Sequence, residues 1–329
     1  MTEYGSGLAR NQRMSRKIIK KLLSITAICT FALSLYNITH GLEMAITIDD
    51  LPTAGKLPSS LTRIDVIKKM LQALKKHHIT GVYGFINASK VGDNKNHLAI
   101  LSAWIEGGQL LGNHTFSHMD LAKVDITTYI QDIEKNEPYL QKFMGDKNYK
   151  YFRYPYLVEG NTEEKRNRIR EYLTSHQYII AEVTTDFYDY MWNNPYVRCL
   201  QIGDKEAINW LEKNYLEQSL NALTISHELS TLLFNRDIKY ILLLHVTLFD
   251  AEMLDKLLTL YEEHGVKFIS LEEALNDDVY KINPNVINKS YTFLDLLRIS
   301  KGLKNPPNVN QLYKSFPEDK LKNLCKINK

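Results

Sequence analysis

From about residue 44 onward, short apolar runs rich in β-branched and aromatic residues alternate with longer stretches whose apolar positions return every three to four residues. The runs at 44–48, 82–86, 109–112, 151–153, 178–183, 240–244 and 267–269 are the predicted strands. The stretches at 64–77, 98–107, 127–143, 163–176, 251–264 and 270–277 carry a helical period. Strands alternating with helices predict a parallel sheet, and about seven such units predict an α/β fold, a distorted (β/α) barrel closed or nearly closed on itself. In that architecture the C-terminal ends of the strands form the catalytic face.

Two regions break the rhythm. Residues 186–233 are long for one crossover, with aromatics and asparagines followed by a helical 206–222, and read as an insertion over the barrel mouth. Beyond about 280 the chain turns rich in Asn, Lys and Pro, with one amphipathic piece at 291–300, the composition of a peripheral, partly disordered tail. The predicted organisation is an N-terminal segment 1–43, a catalytic domain 44–280 and an extension 281–329.

Residues 22–36 are apolar without a charge and follow the basic Arg16, Lys17, Lys20 and Lys21. This length fits the apolar core of an export signal better than a membrane span, with Met14 the more conventional start. No small-x-small cleavage site follows, so both a cleaved signal and an uncleaved anchor stay open. The expected location is periplasmic, secreted or anchored, with membrane contact only through this segment.

The composition, 44% apolar and 24% charged, is that of a globular protein. The formal charge of +3 comes partly from the N-terminal basic cluster, so no nucleic-acid partner is expected. With Cys29 in the apolar segment, Cys199 and Cys325 have no CxxC spacing, and no disulfide framework is predicted.

Chemistry-bearing residues gather at the predicted strand ends. The first strand runs into Asp49 and Asp50, a carboxylate pair that folding alone does not require. After the third comes His114-Thr115-Phe116-Ser117-His118, two imidazoles four apart that a helix would carry on one face. One Asp with two such His makes a three-ligand set with open positions, the pattern catalytic zinc uses to activate water. Arg153, Asp186 and His245 follow three further strands. A serine hydrolase built on Ser117 is disfavoured, because no Gly-x-Ser-x-Gly turn occurs.

In these motifs and their order, over about 44–277, the sequence resembles the polysaccharide deacetylase family, carbohydrate esterase family 4. The matching stretches are Thr47-Ile48-Asp49-Asp50, His114 to His118, Arg153-Tyr154-Pro155-Tyr156, a looser Asp186-Phe187-Tyr188-Asp189-Tyr190, and Leu243-Leu244-His245. Leu51-Pro52 stands where the family has glycine, and Tyr190 where it has tryptophan. The resemblance implies Asp50, His114 and His118 as ligands of a divalent metal, usually zinc, and Asp49 as general base oriented by Arg153. It implies His245 as general acid, its charge set by Asp186 or Asp189, and the backbone near Tyr156 as oxyanion donor. Tyr190 and Trp192, with Tyr188 and Tyr196, are candidates for a sugar-stacking platform or for packing of the insertion. The expected activity is metal-dependent removal of acetyl groups from N-acetylated, or O-acetylated, sugars of a polysaccharide such as peptidoglycan or a chitin-like glycan. A deacylase of small amides or esters and an inactive glycan-binding module are the alternatives.

Overall fold

The computed structural model describes residues 41–326 apart from 93 and 288. The apolar segment at 22–36 lies outside these residues. Among the described residues no helix is long and apolar enough to cross a membrane.

Seven parallel strands form one sheet: β1 (Leu42–Leu51), β2 (Tyr83–Ile86), β3 (Leu110–Asn113), β4 (Tyr151–Phe152), β5 (Ile179–Ile180), β6 (Tyr240–His245) and β7 (Val266–Ile269). The order is β5-β4-β3-β2-β1-β6, with β7 also on β1. The first strand is buried along almost its whole length, which explains its continuous apolar run. It pairs with β6 over Met44 to Asp49, with β7 over Leu42 to Ala45, and with β2 over Thr47 to Leu51. A strand has two edges, so β7 and β2 share one of them, β7 at its beginning and β2 at its end.

Closure comes from the chain just after β5. Ala181 N–H still donates to Phe152 at 2.8 Å, but Thr184 N–H donates to Ile241 at 3.1 Å, and Leu243 N–H donates to Thr185 at 3.0 Å. The predicted strand 178–183 is therefore two residues of ladder followed by a crossing from β4 to the free edge of β6. That crossing curls the sheet into the expected distorted barrel.

The connecting helices are α1 (Arg63–Lys76), α2 (Lys95–Glu106), α3 (Ile126–Met144), α4 (Glu163–Ser175), α5 (Tyr190–Ile202), α6 (Lys205–Phe234), α7 (Leu248–Glu263) and α8 (Leu271–Leu275). Side-chain caps start several of them: the Asp125 carboxylate accepts from Thr128 N–H at 2.9 Å before α3, and Asp204 from Ala207 N–H at 2.9 Å before α6. Residues 186–233 fold as α5 and the thirty-residue α6. The first of these carries Pro195 and two asparagines, weak helix formers that hide it from a periodicity reading.

The tail departs most from expectation. It forms α9 (Phe293–Ser300), α10 (Pro307–Lys314) and α11 (Glu318–Asn323), of which α9 and α10 pack on α6 and α11 on α5. A disulfide joins Cys199 in α5 to Cys325, which corrects the expectation of no disulfide. The two cysteines are 126 residues apart, and only the fold brings them together. Beside the bridge, Arg198 donates from Nε to the Leu324 carbonyl at 3.0 Å and from Nη2 to Leu321 at 2.9 Å. Far from hanging free, the extension is fastened to the insertion.

Candidate metal and catalytic site

Consecutive residues of a regular strand point to opposite faces, so Asp49 and Asp50 need a distortion to share a pocket. The register of β1 against β2 shifts between Ile48 and Leu51, and Asp50 sits at φ 73°. Both carboxylates thereby reach the His114 imidazole, and Asp50 reaches His118 as well. Asp49 Oδ2 lies 3.6 Å from His114 Nε2, and Asp50 Oδ1 lies 3.9 Å from that atom and 3.4 Å from His118 Nε2.

The two histidines are not on a helix, as their spacing suggested. They lie in the loop after β3, with Thr115 and His118 both at φ 59°, and the loop conformation rather than a helical turn converges the rings. Buried amides and a buried carboxylate hold this loop. Asn87 Nδ2 donates to the carbonyls of His114 and Thr115 at 2.7 and 3.1 Å, and Asn136 Nδ2 donates to Asn113 Oδ1 at 3.0 Å. Asp132 Oδ2 accepts from Ser117 N–H at 2.9 Å. None of these supports carried a motif in the sequence.

His114 Nδ1 is 2.7 Å from the Arg153 carbonyl, which can only accept, so the proton sits on Nδ1 and the Nε2 lone pair faces the carboxylates. Burial drives the His114 pKa down to about 3. Burial, with His114 nearby, lowers that of His118 to about 4. Both rings are thus neutral donors. For Asp50, burial pushes upward but is outweighed by Lys90 and the three histidines, leaving its pKa at about 2. Lys90 Nζ, 3.6 Å from Asp50 Oδ1, escaped the sequence reading although it lies just beyond β2 at the catalytic face. One oxygen, Asp50 Oδ1, is buried with no hydrogen-bond partner, and one ligand atom from each of Asp50, His114 and His118 lies within 4.8 Å of the others. An orphaned carboxylate oxygen facing two imidazole lone pairs fits a divalent cation.

Asp49 is buried and turned toward Arg153. Nη1 alone spans both carboxylate oxygens at 3.3 Å, while Nη2 donates to Thr47 Oγ1 at 3.0 Å and Nε to the Ala181 carbonyl at 2.6 Å. The guanidinium lies 4.8 Å from the centroid of Phe85. Gly112 leaves room for that ring, since a Cβ there would come within 2.6 Å of Phe85 Cε1. Burial raises the Asp49 pKa, with Arg153 opposing it.

His245 is the register partner of Asp49 across β6 and β1. Its Nδ1 lies 2.8 Å from Asp189 Oδ1, and its backbone N–H donates to Asp189 Oδ2 at 2.6 Å. Burial would lower its pKa, but Asp189, helped by Asp50 and Asp49, outweighs burial and raises it to about 10. Asp186 makes no such pair. It accepts from Tyr188 N–H at 2.8 Å, and burial raises its pKa to about 6.

Asp49, Asp50, His114, His118, Asp186 and His245 line a pocket of about 340 Å³ that also includes Tyr156, Tyr188, Tyr190 and Asn194. Tyr190, 49% exposed, meets His245 edge-on at 5.2 Å, and Tyr156, at φ 59° and 53% exposed, meets His118 at 4.5 Å. Trp192 is excluded from any sugar platform. It is fully buried, packed among Trp210, Tyr215 and Phe316, because it lies on the inward face of α5.

Residues 37–181 match the family model described as polysaccharide deacetylase. A peptidoglycan-N-acetylglucosamine deacetylase of Bacillus cereus is 29% identical over 150 residues, covering 45% of this chain and 46% of that protein. A chitin deacetylase of Arthroderma benhamiae is 26% identical over 122 residues, 37% of this chain and 30% of that protein. The matches therefore span less than half the length of either curated relative. Among solved structures, a CE4 family pseudoenzyme from Bacillus anthracis superimposes with TM-score 0.50 at 18% identity, over 72% of this chain and 66% of that one. That likeness concerns the fold, and a pseudoenzyme can share it, so activity has to be argued from residues.

Proposed function

We propose, because residues 37–181 match the polysaccharide deacetylase family model, that the protein is a metal-dependent hydrolase that removes acetyl groups from the N-acetylated sugars of a polysaccharide. The observation that carries this reading is the convergence of three parts at one pocket: the Asp50, His114 and His118 cluster, the buried Asp49–Arg153 pair, and the His245–Asp189 pair. Asp50, His114 and His118 would hold a divalent cation, for which zinc is the best match to one carboxylate and two imidazoles. When bound, it supplies Lewis acidity toward water and the acyl carbonyl.

The protein's own groups carry the protons. Asp49, kept in place by Arg153, takes the proton of the attacking water, and its raised pKa makes it a better base than an exposed carboxylate. His245, kept charged by Asp189, protonates the departing nitrogen. The turn at Tyr156 borders the pocket and supplies the backbone donor for the developing oxyanion. Products are acetate and a glycan with a free amine. Export is part of the reading, supported by the apolar run at 22–36 and by the Cys199–Cys325 disulfide, a bond of oxidising compartments.

The test is acetate release from acetylated chitooligosaccharide, peptidoglycan and acetylxylan by the zinc-loaded protein and by its Asp49→Asn variant. The amide keeps the shape of the carboxylate but cannot accept the proton, so turnover should fall about 10²–10⁴-fold on the best substrate. A variant with wild-type turnover places the base elsewhere.

A further inference from the structure

Beside the pocket lies a larger cavity of about 590 Å³, within the range of about 300–1,000 Å³ usual for small-molecule sites. The two adjoin through Asp186, Tyr188, Tyr190 and Ser290, which line both. Its other walls come from α6 and from the extension between Ser290 and Glu318, outside the segment that matches the family model.

The lining combines two features. Tyr188, Tyr190, Tyr291, Tyr313 and Phe316 present aromatic surface. Arg298 and Asn305 each have a buried polar atom, Nε and Oδ1, with no hydrogen-bond partner among the described residues. Those two atoms are covered, but both residues line the cavity and bring a guanidinium and an amide to its wall, groups that hydrogen-bond the hydroxyls of a sugar ring. Aromatic faces suit the apolar side of such a ring. Three carboxylates, Asp186, Asp295 and Glu318, against the single Arg298 disfavour a sugar acid.

We propose that this cavity is a second sugar subsite, formed by the insertion and the C-terminal extension, that holds the neutral or amino sugar unit adjoining the one at Asp50, His114 and His118. The inference rests on the glycan reading above. A unit of a polymer must leave the 340 Å³ pocket in some direction, and the adjoining cavity offers it a walled path.

The experiment uses the full chain, wild type, Tyr291→Ala and Asn305→Ala. Tyr291 is 43% exposed, so its truncation spares the core, and the melting temperature checks this. The probes are N-acetylglucosamine tetramer and p-nitrophenyl acetate. In either variant, kcat/KM on the tetramer should fall about tenfold further than on the small ester. Independently of turnover, calorimetric titration with glucosamine tetramer should show Kd weakened about tenfold in Tyr291→Ala. If acetate is released from the tetramer but both variants lose rate equally on the two probes, or on neither, the subsite is wrong and the deacetylase reading stands. If no glycan releases acetate yet the tetramer binds wild type about tenfold more tightly than Tyr291→Ala, the subsite stands and the deacetylase reading fails.

Discussion

A carboxylate taken out of water needs a compensating charge, and the acids at this site meet that need in different ways. Asp49 has Arg153, Asp50 has Lys90, and Asp189 has His245. The last pair makes a prediction with a definite sign. A pKa of about 10 keeps His245 protonated through neutral pH, and an acid that must donate loses activity as pH rises past its pKa. Asp189→Asn removes the nearest counter-charge and leaves the burial, so the alkaline limb of the kcat profile should move to lower pH. A limb unmoved in that variant would mean another group sets it. The same pair stabilises the fold fully below about pH 6.5, and that contribution fades as pH rises through about 10. At this scale the residue types were legible: Asp49, Asp50, His114, His118, Arg153 and His245 stand where strands end, and paired carboxylates and imidazoles have few structural reasons to be there. The choice between Asp186 and Asp189 was not, because both follow β5 closely and only the start of α5 brings Asp189 to His245.

Among the elements, strands and amphipathic helices followed from period and composition, since burial on one or both faces writes directly into the pattern. Loop conformation did not. The turn that converges His114 and His118 depends on Asn87, Asn136 and Asp132, distant in sequence and without periodicity. The extension was misread for the same reason: its composition is polar, but the contacts of α9, α10 and α11 with the insertion, and the Cys199–Cys325 bond, are long-range. Replacing both Cys199 and Cys325 by Ser should lower unfolding stability by about 2–4 kcal/mol, read from urea titration. Since Phe316 and Glu318, in the cavity wall, belong to the same tail that this bond fastens, the double variant should also lose more activity on the sugar tetramer than on p-nitrophenyl acetate. Unchanged stability would show that packing of α11 alone holds the tail.

For the molecule as a whole, the barrel and the site are one construction. The buried first strand takes partners on both edges, the chain after β5 closes the sheet against β6, and the strand ends bring Asp49, Asp50, His114, His118 and His245 to one pocket. The alternation of strand and helix made this architecture readable, whereas the closure at Thr184 and Thr185 was not, because it is a change of partner within one short run. The claim on which everything else depends is that Asp50, His114 and His118 hold a divalent cation that the reaction needs. Calorimetric titration of zinc into chelator-stripped wild type and His114→Ala, with acetate release followed in parallel, tests it most directly. The account predicts about one zinc bound per wild-type chain, activity that returns in proportion to occupancy, and neither in His114→Ala. Stoichiometric zinc retained by His114→Ala, or acetate release by the stripped wild type, would contradict it.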